Sequence, residues 1–133
     1  IEWEWFAGGG QKAINKGTFG HIFHKSDNLD QIAWYRYNSL LTTHNIAEKI
    51  PNELGIFDCI GNVYEWCHNQ RYEFKNFKEE KGSTFDNMYK VIMGGSFYSD
   101  PKDFYPFIFS YPSISSCMDI GFRFVKTFRG KYE

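Results

Sequence analysis

Asn52-Glu53-Leu54-Gly55-Ile56-Phe57-Asp58-Cys59-Ile60-Gly61-Asn62-Val63-Tyr64-Glu65-Trp66-Cys67 is the most specific stretch of this chain. The alternation from Gly61 to Cys67 predicts a strand. In an extended segment, carbonyls two residues apart face the same side, so those of Gly61 and Val63 are expected to converge. The carboxylates of Asp58 and Glu65 flank them. Two carboxylates and two carbonyls form a hard-oxygen set suited to Ca²⁺ rather than to a soft metal. The plain alternative is that Glu65 accepts backbone hydrogen bonds in an empty turn.

Outward from this stretch the elements are short. Ile1 to Ala7 followed by Gly8-Gly9-Gly10 reads as the last two turns of a helix, with glycine supplying the left-handed residue that ends it. From Gln11 to Gln31 no clean period is visible, and Gly17, Gly20 and Ser26-Asp27-Asn28 mark turns. Ile32 to Tyr35 is a short apolar run, followed by an irregular stretch to Gly55. Arg71 to Lys90 is charged and polar and reads as a surface excursion. Lys90 to Met93 and Gly121 to Val125 read as strands bounded by glycine. The sum is a loop-rich α+β domain. Loops this long must be held, and packed aromatics or a bound cation are the available means.

Composition narrows the function. A length of 133 residues allows one domain with a modest core. A net charge of -1 and a pI near 6.5 argue against nucleic acid or an anionic membrane as main partner. No apolar run reaches spanning length. Three cysteines, Cys59, Cys67 and Cys117, are an odd number, which excludes a complete disulfide framework. The chain starts at Ile1 without a readable signal peptide, so localisation stays open. The aromatic share of 20% is high, and aromatics serve equally as core and as binding surface.

The opening stretch resembles the pattern N-x-(L/Y)-G-(L/I)-(Y/F)-(D/N)-x-x-G-N-(V/A)-(W/Y)-E-W of the formylglycine-generating-enzyme, or sulfatase-modifying-factor, family. Three more segments follow the family's order. Trp3-Glu4-Trp5-Phe6-Ala7 is similar to its E-W-E-(Y/F)-A-A-R helix end, Gly94-Gly95-Ser96-Phe97 to R-G-G-S-(W/F), and Ile120-Gly121-Phe122-Arg123 to the closing (I/L)-G-F-R. The resemblance implies a C-type-lectin-like α+β fold. It places residues 1–133 as the C-terminal part of one such domain, with its N-terminal portion missing and supplied by an earlier segment or a partner chain. It also implies a structural Ca²⁺ on the residues matching Asp58, Gly61, Val63 and Glu65.

The same resemblance argues against the family's chemistry. Its enzymes oxidise a substrate cysteine with copper held by two cysteines shortly after G-G-S, and Phe97 to Ser110 contains no cysteine. No copper is therefore expected, because copper(I) wants two thiolates in reach. His21-x-x-His24 lacks a carboxylate or third histidine at matching spacing and reads as a loop pair. His44 reads as structural. Cys67 and His68 are adjacent in a strand, so they face opposite sides and form no dyad. Cys59 and Cys67 read as buried thiols.

Phe97 to Asp119 is too apolar for an ordinary solvated loop. Its aromatics either fill the core or line a recognition surface formed by Tyr98, Phe104, Tyr105, Phe107, Phe109 and Tyr111. The expected function is thus a non-catalytic domain binding a protein or small-molecule ligand. Two alternatives stand beside it. One is an oxidoreductase of the wider family, formylglycine-generating or similar to the iron-dependent sulfoxide synthases, with its other parts outside this chain. The other is a variable display protein of a diversity-generating retroelement, since the segment's residue types suit codons ending in a pyrimidine.

Overall fold

A computed structural model describes residues 2–20, 29–70, 89–104, 109–112 and 116–125. The expected excursion from Arg71 lies outside them up to residue 88, as do His21 and His24.

Two helices open the fold rather than one. Helix α1 spans Glu2–Ala7 and α2 spans Gly10–Lys16, so the glycine triplet joins them instead of ending the helical region. Gly9, at φ 91, turns the chain and at once caps α2. The apolar period of α2 is weak because it buries only Gly10 and Ala13, which hid it in the sequence. A third short helix, α3, covers Leu29–Ile32. No helix among the described residues is long and apolar enough to cross a membrane.

The sheet has four strands in the order β3-β2-β1-β4. Strand β1 (Tyr64–Gln70) and β2 (Tyr89–Met93) run antiparallel, with Glu65 opposite Met93 and Trp66 opposite Ile92. Strand β3 (Phe109–Pro112) adds antiparallel to β2, and β4 (Ile120–Gly121) adds parallel to β1. Val91, Ile92 and Met93 are consecutive and all buried, as a strand covered on both faces requires. Around Val91 and Met93 gather Trp3, Ala7, Ala33, Tyr35, Cys59, Ile60 and Phe104, which form the core.

Two strand boundaries differ from expectation. Strand β1 starts at Tyr64 and not at Gly61, because Gly61 and Asn62 hold left-handed φ of 76 and 62. Gly61 has no choice here: a Cβ would collide with the Trp34 backbone, to which it forms a parallel bridge. The last strand stops at Gly121. Beyond it the chain leaves the β1 ladder, Arg123 reaches back toward Glu65, and Phe122, Phe124 and Val125 are exposed.

The intervening loops are stitched by asparagines. The Asn52 side chain donates to the Phe6 and Ala7 carbonyls at the end of α1, at 2.6 and 3.3 Å, satisfying acceptors that a helix end leaves free. Its Oδ1 accepts from the Leu54 and Ile56 amides. Asn62 exchanges two bonds with the His44 backbone, while its own N–H donates to the Trp34 carbonyl and its carbonyl accepts from Phe97. A few polar side chains thus do what long secondary structure does elsewhere.

Candidate functional site

Glu65 sits on β1 between Met93 of β2 and Gly121 of β4, 5% exposed. A carboxylate so placed is tolerated only if its lone pairs are filled. Trp3 of α1 donates its indole N–H to Oε2 at 2.9 Å. Arg123 donates from Nε to both oxygens at 3.1 Å and from Nη2 to Oε1 at 2.5 Å. Arg123 Nη2 also donates to the Phe57 carbonyl at 2.9 Å. One carboxylate therefore joins α1, the loop before β1, β1 itself and the segment after β4. Burial pulls the Arg123 pKa down, but the hydrogen bonds and charge of Glu65 outweigh it and leave it raised.

This geometry decides how the expected oxygen set is used. The left-handed Gly61 and Asn62 remove the extended backbone on which convergence of the Gly61 and Val63 carbonyls rested. Asp58, itself at φ 55, accepts from the Ala47 amide at 2.7 Å. Glu65 already has a cation, the chain's own guanidinium. Among the described residues no three His, Cys, Asp or Glu side chains gather as metal ligands. As arranged, the Glu65 carboxylate is engaged by Arg123 and Trp3, and a Ca²⁺ ion on it would need Arg123 to let go first.

The segment after Gly94-Gly95 splits the aromatic stretch between its two readings. Phe104 is buried at 3%, packs edge-to-face on Tyr35 and fills the space over Gly95, so it is core and not surface. Phe97 is buried as well, with its ring against Tyr98. Tyr98 is exposed, and its hydroxyl meets Met118 Sδ at 3.7 Å. Tyr105 and Phe107 lie outside the described residues. Phe109 and Tyr111 are described only in backbone, opposite Ile92 and Lys90.

Beneath Tyr98 lies a chain of hydroxyls. Ser99 Oγ donates to the Tyr64 hydroxyl at 2.9 Å and accepts from the Ser96 amide at the same distance. Ser96 Oγ donates to Asp119 at 3.1 Å and accepts from the Tyr98 amide. These bonds hold the turn. Elsewhere, Cys59 and Cys67 are unpaired thiols whose pKa burial pushes up to about 12. Cys117 is unpaired too. His44 is structural: its ring stacks on Trp34 at 3.7 Å and its Nε2 bonds the Ser39 carbonyl. Sequence reading missed Arg123 as the partner of Glu65, although both stood inside quoted motifs.

Helix pair, four-stranded sheet and long stitched loops define an α+β, C-type-lectin-like domain of the formylglycine-generating type. The chain belongs to the family of sulfatase-modifying factor enzyme 1-like domains, whose model matches residues 1–128. It is 33% identical over 115 residues to the chaperone protein LppX of Paenibacillus barcinonensis, a match covering 74% of this chain and 36% of that protein. It is 30% identical over 108 residues to the serine/threonine-protein kinase pkn1 of Chlamydia pneumoniae, covering 77% of this chain and 16% of the kinase. Among solved structures, variable protein 1 of Treponema denticola superposes with a TM-score of 0.67 at 29% identity, and CarF with 0.70 at 27%. Each superposition covers 91% of this chain and 43% of the other. The chain thus spans well under half of the length of these relatives.

The ion pair makes a quantitative prediction. Glu65→Gln or Arg123→Met alone should each lower unfolding free energy by about 3 kcal/mol, the low end for a buried pair because Arg123 is part exposed. The double variant Glu65→Gln/Arg123→Met should lose clearly less than the sum. Urea unfolding of the four proteins reads this out, and strict additivity would contradict the pairing.

Proposed function

We propose that this chain is a non-catalytic ligand- or protein-binding domain of its family. The observation that carries the reading is the segment following Gly94-Gly95. From Phe97 to Ser110 there is no cysteine, and Ser99 and Phe104 are committed to hydroxyl bonding and core packing. The thiols elsewhere add support. Burial that pushes the pKa of Cys59 and Cys67 up to about 12 makes both poor nucleophiles at neutral pH. A structural Ca²⁺ on Asp58, Gly61, Val63 and Glu65 is compatible with this role only if Arg123 gives up Glu65.

Incubation of the chain with a cysteine peptide of sulfatase type, with and without copper, should yield no formylglycine by mass spectrometry. Copper-dependent turnover that disappears in Cys117→Ser would overturn the reading in favour of an oxidoreductase.

A second reading is favoured by the likeness to the Treponema denticola variable protein. In it, the Tyr- and Ser-rich stretch from Phe97 to Asp119 is a display surface, with exposed Tyr98 and Met118 at its rim. Deep sequencing of the gene across a clonal population should then show substitutions concentrated in codons 97–119. A uniform distribution along the gene would contradict display.

A further inference from the structure

We propose that the groove beside the Glu65–Arg123 pair binds a small organic ammonium compound, one that carries an aromatic body next to its charge. The proposal rests on the ligand-binding reading above and names the class of ligand. The groove encloses about 470 Å³. Small-molecule sites are of this size, concave and mostly apolar, with a few placed polar groups. Its walls fit that description, being Ile46, Ile56, Phe57, Val63 and Phe122. Its backbone is unusual as well. Ala47, Asp58 and Asn62 line it at φ of 64, 55 and 62, and they are three of the five non-glycine residues with positive φ among those described. Such strain persists only where the surroundings over-determine it, and it gathers at ligand clamps.

Charge selects the ligand. The groove is lined by one cation, Arg123, and two carboxylates, Asp58 and Glu65. Glu65 and Arg123 answer each other. Asp58 remains. Its Oδ2 accepts from the Ala47 amide at 2.7 Å, and its Oδ1 takes no bond from any described residue. A free carboxylate oxygen beside an apolar groove repels an anionic ligand and gains less from a neutral one. An ammonium answers it with a charge-assisted hydrogen bond. Phe57 and Phe122 offer ring area for an aromatic body, and their faces attract a nearby cation. A bare metal ion is the poorer occupant, because the second carboxylate it would draw on is held by Arg123.

Amide nitrogen-proton spectra of the 133-residue chain, titrated with benzylammonium, benzyl alcohol and benzoate to about 20 mM each, read the site. Benzylammonium should move the amides of Ala47, Asp58 and Phe122 and bind at least about tenfold more tightly than benzyl alcohol. Benzoate should leave them in place. Asp58→Asn keeps an oxygen for the Ala47 amide and tolerates the left-handed φ, so its circular dichroism should match wild type. In it, benzylammonium should fall to the strength of benzyl alcohol, which itself should bind as before. Silence of these amides, equal binding of alcohol and ammonium, or undiminished ammonium binding in Asp58→Asn would overturn the proposal. Displacement of benzylammonium by an equal concentration of Ca²⁺ would overturn it too, giving the groove to a metal ion. None of these outcomes depends on the formylglycine assay, so failure of this site and failure of the non-catalytic reading are told apart.

Discussion

A buried carboxylate without partners is among the costliest groups a fold can hold, and this domain is built around one that is fully answered. Glu65 draws in an indole N–H from the first helix and a guanidinium from the segment after the last strand. The sheet has only two residues in β4, too few to fix that segment by ladder bonds. Arg123 does so instead, and its second bond to the Phe57 carbonyl ties in the loop before β1. The core can close over Trp3, Cys59 and Met93 because these four segments are held in register from their polar side.

The same economy runs through the loops. With little regular structure between Ala33 and Val63, backbone groups are satisfied by Asn38, Asn52 and Asn62, each bridging positions distant along the chain or closing a turn. Lys49 lies over Trp34 at 3.7 Å, while the His44 ring stacks on it. A loop scaffold of this kind leaves its tips free to vary. Binding and catalytic residues alike sit on loops positioned by a rigid base of this kind.

Much of this was legible in the sequence because the four motif blocks are local. Helix α1, strand β2 and the turn after it follow from short patterns of glycine and apolar residues. What escaped was non-local or left-handed. Gly and Asn are the residues that most readily turn left-handed, yet the alternation from Gly61 to Cys67 reads as strand, and β1 begins three residues later than that pattern implies. Arg123 is 58 residues from Glu65, and a pair at that separation leaves no periodic trace. Phe104 and Tyr98 read alike as aromatics in one loop, yet one fills the core and the other faces solvent. Only packing distinguishes them.

Arg123 and Trp3 between them reach both oxygens of Glu65. Nitrogen-proton correlation spectra of the protein, following the Arg123 Nε–H and the Trp3 indole N–H, test it directly. Both signals should persist near neutral pH with slow solvent exchange, vanish or shift together in Glu65→Gln, and stay in place when millimolar Ca²⁺ is added. Rapid exchange of the Arg123 Nε–H, or movement of both signals on adding Ca²⁺, would show that the carboxylate serves an ion and that the account is wrong.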